Sequence, residues 1–333
     1  YNQPYFVKDL FDDVSDDEFV ETLSLLGIKS KYIQSRGLYP FSEQAKNIVE
    51  ILKSHLYQMK IELINDEITD YRINDKITLI GNEDRYCCDN VIFATGGKSY
   101  PKTGSDWSLM TTFEKHGYKI NNLCPVLCPI KVYENVHKLF GVKVKGQVKL
   151  ISNGKVIACE SGEINFKDDG LSGICVMNLT RYIQSGQECM LSLNLLNCGD
   201  KTISKEDFLK NSGDLQSILY SYLPIKLSNY ISDRFEKSSK NNLSLNEKEK
   251  LYSLITNFQF KVKSLYGFDD AQITRGGISL LHINHDFSSK KEKGVYFLGE
   301  MLDVDGPCGG YNLRLYITTG IKAVKSILEK EKK

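Results

Sequence analysis

The spacing of apolar and polar residues changes along the 333-residue chain. Residues 1–122 mix two periods. Apolar residues recur at helical spacing after Ser15, which fits a capping box with Glu18, and again over residues 42–59. Short alternating runs separated by ND and GN turn signals then predict an antiparallel meander made of KIELI, ITDYRI, KITLI and RYCC. The continuous apolar run NVIF, followed by ATGG, predicts a strand buried on both faces that ends in a tight turn.

The middle of the chain is richer in strand patterns. Residues 123–199 alternate between apolar and polar side chains, and Asn153-Gly154 is a strong two-residue hairpin signal. This pattern predicts a sandwich or a small barrel. Residues 200–257 return to helical periodicity, with Ser204 as an N-cap and a polar linker over residues 236–248, before strand patterns resume at FQFKVKSL and QITRGGISL.

The last segment, GVYFLGEMLDVDGPCGGYNLRLYITTGIKAVKSIL, predicts a strand, a glycine-rich loop and a helix. The helix is expected to begin near Tyr311 and to run for about fifteen residues. Leu313, Ile317 and Ile321 would lie along one side of it. This arrangement leaves unpaired backbone N–H groups at the helix start, close to a loop that another molecule can approach.

Composition narrows the class of protein. The chain is 41% hydrophobic, and 43 Lys and Arg against 42 Asp and Glu give a net charge of +1, so no overall field favours nucleic acid. No run approaches the roughly 18 apolar residues of a membrane span, and the first residues do not resemble a signal peptide, which predicts a cytoplasmic protein. The nine cysteines lack the paired CxxC spacing of a zinc site, so we predict reduced thiols and no metal.

The glycine-rich loop has a chemical interpretation. The amides at the start of the last helix, with the positive end of its dipole, favour an anionic or electron-rich partner such as a reduced flavin. Glu300, at the end of the preceding strand, could accept hydrogen bonds from ribityl hydroxyl groups. Glycines at this place serve a tight strand–helix corner equally well, so spacing alone leaves both interpretations open.

Five segments together resemble a known family. NVIFATGGKSYPKTGS, GEINFKDDGLSG, QITRGGISL, GVYFLGEMLDVDGPCGGYNL and SRGLYPFSEQAKNIVEIL are similar, in order and spacing, to the BaiN/RdsA-like family of FAD-dependent oxidoreductases. The resemblance implies an α/β fold: a discontinuous, Rossmann-like FAD domain of the two-dinucleotide-binding type at 1–122 and 286–333. It also implies a β-barrel-like insert at 123–199 and 258–285, and a helical subdomain at 200–257.

The chain also departs from that family. Family members begin with a strand, a GxGxxG turn, a helix and an acidic residue that holds the adenosine ribose, and the 333 residues contain no such segment. A cysteine-containing block that normally follows is absent as well. We therefore expect either that this chain is a fragment or that the missing segment is supplied from elsewhere. FAD binding by this chain is expected to be weakened. After Gly104, GSDWSLM replaces the usual glycines.

The resemblance assigns cofactor contacts to three motifs. The ATGG turn and the GE strand end are expected to contact FAD, and the loop and helix start are expected near its ring. The residues are Ala94, Thr95, Gly96, Gly97, Gly299, Glu300, Asp303, Gly306, Gly309, Gly310, Tyr311, Asn312 and Leu313. The structural alternative for all of them is a plain strand–turn–helix corner.

Catalytic residues are less determined. The resemblance directs Arg275, in TRGG, toward the flavin, where its guanidinium could hold a carboxylate or polarise a carbonyl; the alternative is an ion pair. Cys308 is predicted to be a small filler in the loop, although a redox role is open. Lys98 and Tyr100 follow the ATGG turn and are assigned to solvent and packing. The histidines of the chain show no nucleophile pattern and receive no role.

These observations predict an FAD-dependent oxidoreductase that acts on a small molecule. A reduced nicotinamide, NAD(P)H, would pass a hydride through flavin N5 to an organic acceptor such as an activated C=C bond. No second glycine-rich nucleotide fold is visible, so NAD(P)H would bind transiently or not at all, which leaves room for an oxidase. The alternatives are an amine oxidase, an RNA-modifying flavoprotein, which the near-neutral charge disfavours, and a non-catalytic remnant whose insert binds a partner. The oligomeric state stays open.

Overall fold

The computed structural model describes residues 1–33, 37–197, 201–235 and 242–332. They form two compact units. We call Tyr1–Cys124 with Ile273–Lys333 the split unit, and Pro125–Gln272 the barrel unit. The predicted boundary at 199/200 and the first part of the predicted linker lie outside the described residues.

The described residues contain helices of five residues or more and strands of three or more. The helices are α1 (Pro4–Asp13), α2 (Asp16–Leu25), α3 (Ala45–Gln58), α4 (Met110–Lys115), α5 (Ile174–Leu179), α6 (Lys205–Leu209), α7 (Leu215–Tyr220), α8 (Ile225–Ser232), α9 (Leu245–Thr256) and α10 (Tyr311–Glu331). The strands are β1 (Ser30–Ile33), β2 (Gly37–Pro40), β3 (Ile68–Ile73), β4 (Ile77–Gly81), β5 (Arg85–Cys88), β6 (Val91–Phe93), β7 (Ile120–Val126), β8 (Ile130–Val132), β9 (Lys143–Ser152), β10 (Lys155–Phe166), β11 (Gly170–Ser172), β12 (Met190–Asn194), β13 (Phe258–Leu265), β14 (Ile273–Ile278) and β15 (Val295–Phe297).

The barrel unit is built on a closed barrel of six strands in the order β10-β11-β8-β13-β12-β9. Closure leaves no strand edge unpaired. Every second residue of β9 is buried, as the alternation predicts, and the hairpin between β9 and β10 turns at Asn153 (φ 49°) and Gly154 (φ 70°). Two consecutive positive φ angles are what a two-residue hairpin turn requires. The predicted barrel and hairpin are confirmed.

Helices α6 to α9 pack on this barrel. Leu251 and Ile255 of α9 are buried in one apolar core with Phe258 and Phe260 of β13. The Ser204 hydroxyl accepts a hydrogen bond from the Asp207 amide at 3.1 Å, which confirms the predicted N-cap. The helical segment therefore shares the barrel's core.

The split unit contains a small antiparallel sheet in the order β3-β4-β5. Three of the four predicted strands are present, but KIELI is not a strand: residues 61–67 have no regular structure, and Leu63 is 70% exposed. The reason is that alternation creates a strand only where a neighbouring strand offers hydrogen bonds. Among the described residues no strand pairs with residues 60–64.

Strands β6 and β15 form a parallel pair in register, Val91 with Val295 and Phe93 with Phe297. The two phenylalanine rings stack with centroids 5.5 Å apart and are buried. Strands β14 and β7 form a separate pair. The apolar run NVIF is thus a strand, as predicted, but the prediction that it is buried on both faces is wrong: Val91 and Phe93 are buried, whereas Ile92 on the other face is 40% exposed.

Helix α10 is longer than predicted, with 21 residues instead of about fifteen. No proline interrupts the segment after Ile321, so the helix continues to Glu331. Ile317 and Ile321 pack against the apolar cluster of Phe19, but Leu313 is 68% exposed. The three residues are spaced four apart on one helix and so lie along one side, as predicted, but the packing covers Ile317 and Ile321 and leaves Leu313 exposed.

Candidate functional site

The two parallel strands end at the same edge of their sheet. The amide of Leu298, just after β15, donates to the carbonyl of Phe93, the last residue of β6, at 3.0 Å. The turn at residues 94–97 and the segment at 299–301 consequently leave this edge side by side. In open α/β sheets, ligands bind outside the carboxyl ends of parallel strands, so this edge is the candidate site.

Two residues, Met301 and Thr274, hold the ATGG turn in place. The Thr95 amide and hydroxyl lie 3.4 and 3.5 Å from the Met301 sulfur. On the other side, the amides of Lys98 and Ser99 both donate to the Thr274 hydroxyl, at 2.7 and 2.9 Å. The turn is therefore held by β14 and by the segment after β15.

Gly97 is required for this close approach. A methyl group at Gly97 would lie 2.3 Å from Glu300 Oε1 and 2.6 Å from Thr274 Oγ1. Such distances are shorter than any van der Waals contact, so a side chain would displace both groups. The sequence assigned this glycine to a cofactor contact, and the structure shows that it also makes room for Glu300.

Glu300 presents a partly paired carboxylate at this edge. Oε1 accepts a hydrogen bond from the Thr274 amide at 2.8 Å. Burial raises the pKa of the Glu300 carboxyl, and the hydrogen bonds from Thr274 oppose that rise. Within the described ranges, Oε2 has no hydrogen-bond partner, so it can accept a donor from a ligand.

The hydroxyl of Tyr316 lies near this carboxylate. It is buried, and in the described part of the chain it has no hydrogen-bond partner. Burial, followed by the negative charges of Glu300 and Asp305, raises the pKa of Tyr316. Its side chain packs on Gly299, where a methyl group would lie 3.5 Å from the Tyr316 Cβ. A neutral hydroxyl without a partner is available to a ligand atom.

The loop before α10 is closed by Asn312. The Asn312 Oδ1 accepts from the Gly306 amide at 2.7 Å, and Nδ2 donates to the carbonyls of Gly306 and Pro307 at 3.0 and 3.2 Å. Asn312 is buried. Its amide therefore shapes the loop, a role that its position in the motif did not indicate.

The start of α10 is open. Gly310, the N-cap, has φ 89° and no side-chain cap, and a methyl group there would meet no atom within 4 Å. Gly309 also has a positive φ, 122°. The first-turn amides accordingly lack the side-chain acceptor that usually satisfies them. Tyr311 and Leu313 are exposed beside this helix start.

Asp303 has partners within the protein. Its Oδ2 accepts from Asn121 Nδ2 at 2.7 Å and its Oδ1 from Asn2 Nδ2 at 3.3 Å. The backbone at Asp303 lies beside β14, because the Asp303 amide donates to the Ile278 carbonyl at 3.1 Å. The structure therefore shows Asp303 as an anchor of the loop.

Arg275 lies on β14, directly after Thr274, and is half-buried. The glycines that follow it permit backbone contacts on both sides. A methyl group would lie 2.2 Å from the Asn122 carbonyl at Gly276 and 2.4 Å from the Met301 carbonyl at Gly277. The TRGG motif is thus the place where β14 meets both neighbouring segments.

The structure brings Glu300 and Met301 together with the ATGG turn, to which Gly97 belongs. The side chain of Leu313, in contrast, is exposed. Sequence reasoning missed Thr274 and Tyr316. Thr274 is the first residue of the TRGG motif, in which the resemblance singled out Arg275 alone, so membership of that motif was its only signal. Tyr316 gave none, because its burial depends on the packing of Gly299.

These residues fit the ring and ribityl part of FAD. An uncapped helix start favours a ring system that takes up negative charge, Glu300 Oε2 accepts a hydroxyl donor, and the Tyr316 hydroxyl can donate or accept. In the described ranges, no three His, Cys, Asp or Glu side chains are grouped to hold a metal ion. No helix there is long and apolar enough to cross a membrane.

Two curated relatives match nearly the whole chain. The 3-dehydro-bile acid delta(4,6)-reductase of Clostridium scindens is 27% identical over 348 residues, covering 98% of this chain and 84% of the relative. The ribosomal RNA dihydrouridine synthase of Escherichia coli is 24% identical over 326 residues, covering 93% and 79%.

Two solved structures show distant similarity to this chain. An open flavocytochrome c3 fumarate reductase matches 96% of this chain and 66% of its own, with 15% identity and a TM-score of 0.40. The 3-ketosteroid delta1-dehydrogenase of Sterolibacterium denitrificans matches 85% and 63%, with 11% identity and a TM-score of 0.36. This chain spans about two thirds of the length of those proteins.

The family assignment rests on a match over most of the chain. The profile described as HI0933-like protein Rossmann domain covers residues 1–326. The chain therefore belongs to the HI0933-like Rossmann-domain family, the BaiN/RdsA-like FAD-dependent oxidoreductases that its sequence motifs predict.

Proposed function

We propose that this protein is an FAD-dependent reductase that uses NAD(P)H to reduce an activated C=C bond in a small organic molecule. The observation that carries the proposal is the group of polar atoms at one sheet edge that have no hydrogen-bond partner among the described residues: Glu300 Oε2, the Tyr316 hydroxyl and the uncapped start of α10. One relative is named a reductase of a 3-dehydro-bile acid, which supports the reductive direction.

The residues of this edge would hold the cofactor. FAD, when bound, supplies the hydride-transfer chemistry of such a reduction. Glu300 Oε2 would accept a hydrogen bond from a ribityl hydroxyl, and the first-turn amides of α10 would favour negative charge on the ring. The Tyr316 hydroxyl would gain the partner that it lacks among the residues that the structure describes.

Rigidity is the second contribution of the chain. The Thr274 amide fixes Glu300, and its hydroxyl fixes the amides of Lys98 and Ser99. A site that is organised before the ligand binds loses less entropy on binding. Arg275, adjacent to Thr274, is our candidate for holding the carbonyl oxygen that activates the C=C bond of the substrate, because a guanidinium donates two hydrogen bonds in one plane.

The test is an anaerobic titration of the purified, FAD-reconstituted protein. We expect NADPH or NADH to bleach the flavin absorbance, and an α,β-unsaturated ketone to restore it with formation of the saturated product. The Glu300→Gln and Tyr316→Phe variants should bind FAD more weakly than the wild type. Glu329→Gln, an exposed position on α10, is the matched control.

Other outcomes would replace the proposal. Bleaching by a primary amine and not by NAD(P)H would indicate an amine oxidase. Reduction of uridines in ribosomal RNA would indicate the activity named for the Escherichia coli relative. A colourless protein that does not take up FAD would indicate a non-catalytic protein, and unchanged FAD affinity in both variants would show that this edge does not hold the cofactor.

One aromatic and basic cluster of the barrel unit bears on the RNA alternative. Lys131 and Lys167 each lie 4.8 Å from the centre of the Tyr266 ring, an aromatic and basic combination of the kind that binds nucleic acid. Each lysine, however, pairs with a carboxylate: Lys131 with Asp169 at 2.9 Å and Lys167 with Asp270 at 3.7 Å. Their charges are thus compensated, which favours a small-molecule substrate.

Arg275 has a separate test. Arg275→Lys keeps the positive charge but loses the planar pair of donors, so we expect a higher KM for an unsaturated ketone with little change in FAD affinity. A lower melting temperature with an unchanged KM would indicate the alternative, a structural ion pair.

A further inference from the structure

The barrel unit contains a pocket that the proposed function does not use. The sequence block GEINFKDDGLSG, residues 162–173, folds around it, together with the end of β10 and the start of α5. Its volume is about 420 Å³, within the range of roughly 300–1,000 Å³ that small-molecule sites occupy. All its lining residues belong to the barrel unit.

A close backbone contact forms the pocket. Gly173, between β11 and α5, has φ 104°, and a methyl group there would lie 2.0 Å from the Glu163 carbonyl oxygen. The Cys175 thiol donates to the same oxygen at 3.3 Å. Only glycine permits this approach, and it brings the start of α5 directly over β10.

One wall of the pocket carries an unsatisfied acceptor. Asn165, at the end of β10, pairs with Lys143 of β9 and Ser172 of β11 through its backbone. Its side-chain Oδ1 is buried and has no hydrogen-bond partner among the residues that the structure describes. A buried acceptor of this kind lowers the stability of the fold unless a donor reaches it.

The charged residues that line the pocket are acidic. Of the described residues, the lining includes Glu160 and Glu163 and no Lys, Arg or His. Lys143 lies 3.7 Å from Glu163 and compensates part of this charge from outside the lining. Glu160 is half-buried, and the structure gives it no ion pair within the described ranges.

The remaining lining is mostly apolar or neutral. Ile174 is 58% exposed and Met177 is half-buried, so both offer apolar surface to a ligand. Burial raises the pKa of the Cys175 thiol to about 11, so this thiol is neutral and adds neither charge nor a nucleophile at neutral pH.

We infer that this pocket binds a small organic cation: a primary ammonium group on a compact apolar body. The ammonium would donate to Asn165 Oδ1, Glu160 and Glu163 would compensate its charge, and the apolar body would pack on Ile174 and Met177. An anion is disfavoured because the lining offers it no positive side chain. This inference does not depend on the proposed reductase activity.

The test compares three probes of one shape and different charge. Benzylammonium, benzyl alcohol and benzoate are titrated into the full chain at low salt, with calorimetry or ligand-observed NMR as the readout. We expect benzylammonium to bind at least about tenfold more tightly than benzyl alcohol, since one partly buried charge pair contributes that much. Benzoate should not bind. Equal binding of all three probes would overturn the inference.

Two sets of variants locate the site. Glu160→Gln with Glu163→Gln should weaken benzylammonium binding about tenfold, whereas Glu188→Gln, an exposed carboxylate of the same unit that pairs with Lys261, should not change it. The single Glu160→Gln variant makes the same test if the double variant does not fold. Unchanged affinity in the Glu160 variants would refute the site.

Asn165→Leu separates binding from structure. Leucine has a similar shape and removes the unsatisfied acceptor, so we expect an unchanged or higher melting temperature together with weaker benzylammonium binding. A purely structural asparagine would give the opposite pattern, a lower melting temperature with unchanged affinity. That result would show that Oδ1 does not serve a ligand.

Discussion

The Glu300 carboxylate accepts a hydrogen bond from the Thr274 amide at 2.8 Å, although 26 residues separate the two in sequence. The Thr274 hydroxyl accepts in turn from the amides of Lys98 and Ser99. This relationship joins the ATGG turn, β14 and the strand end of β15 into one structure. Several properties of the candidate site should depend on it.

Gly97→Ala should lower stability by about 1–3 kcal/mol, because the new methyl group would lie 2.3 Å from Glu300 Oε1. Thermal unfolding, with FAD titration of the same sample, measures the loss. Gly320→Ala is the matched control, because nothing lies within 4 Å of that position on α10. There alanine should raise stability by about 0.5–1 kcal/mol. Equal effects of the two changes would contradict the close contact at Gly97.

Glu300→Gln should change how stability depends on pH. Burial raises the folded-state pKa of this carboxyl above its ordinary value of 4.5, so the folded protein binds more protons than the unfolded chain between the two values. Wild-type stability therefore falls as pH rises through this window. The glutamine variant has no carboxyl group at this position, so it lacks this contribution to the pH dependence of stability. Melting temperatures of both proteins across the window should diverge, and parallel curves would show that Glu300 titrates normally.

Glu292→Ala should cost about 3 kcal/mol or more, because it removes the acceptor of a part-buried network. Glu292 Oε2 accepts from the hydroxyls of Tyr71 and Tyr118, both at 2.7 Å, and Oε1 lies 2.7 Å from His116 Nδ1. Denaturant unfolding monitored by tyrosine fluorescence measures the loss.

The control for this network is Asp89→Ala. It breaks an exposed ion pair with Lys76, 3.3 Å apart, and should cost about 0–1 kcal/mol. A similar loss in both variants would mean that the network around Glu292 contributes no more than a surface pair.

Asn312→Ala should weaken FAD binding by at least about tenfold, because three hydrogen bonds that shape the loop at Gly306 and Pro307 would be lost. Asn312→Asp keeps the acceptor and loses the donor, so its effect should be intermediate. Flavin fluorescence titration measures both. Wild-type affinity in Asn312→Ala would show that the loop does not need this amide to accommodate the cofactor.

Local patterns in the sequence predicted many elements correctly. Two residues, Asn153 and Gly154, were enough to place the β9–β10 hairpin, since a turn of this kind depends on local φ angles. Ser204 predicted its helix start for the same reason. KIELI shows the limit: its alternation was clear, but a strand also needs a partner, which no local pattern supplies.

The candidate site likewise combines features that the sequence predicts with features that only the structure reveals. By itself, the sequence determined the glycine turns, the strand ends and the family, because these are properties of short segments. Only the tertiary structure decided that Thr274 fixes Glu300, that the buried Tyr316 hydroxyl has no partner among the described residues, and that Leu313 stays exposed while Ile317 and Ile321 are packed. Burial and hydrogen-bond partners are set by which segments meet, and such meetings join residues that are distant in the chain.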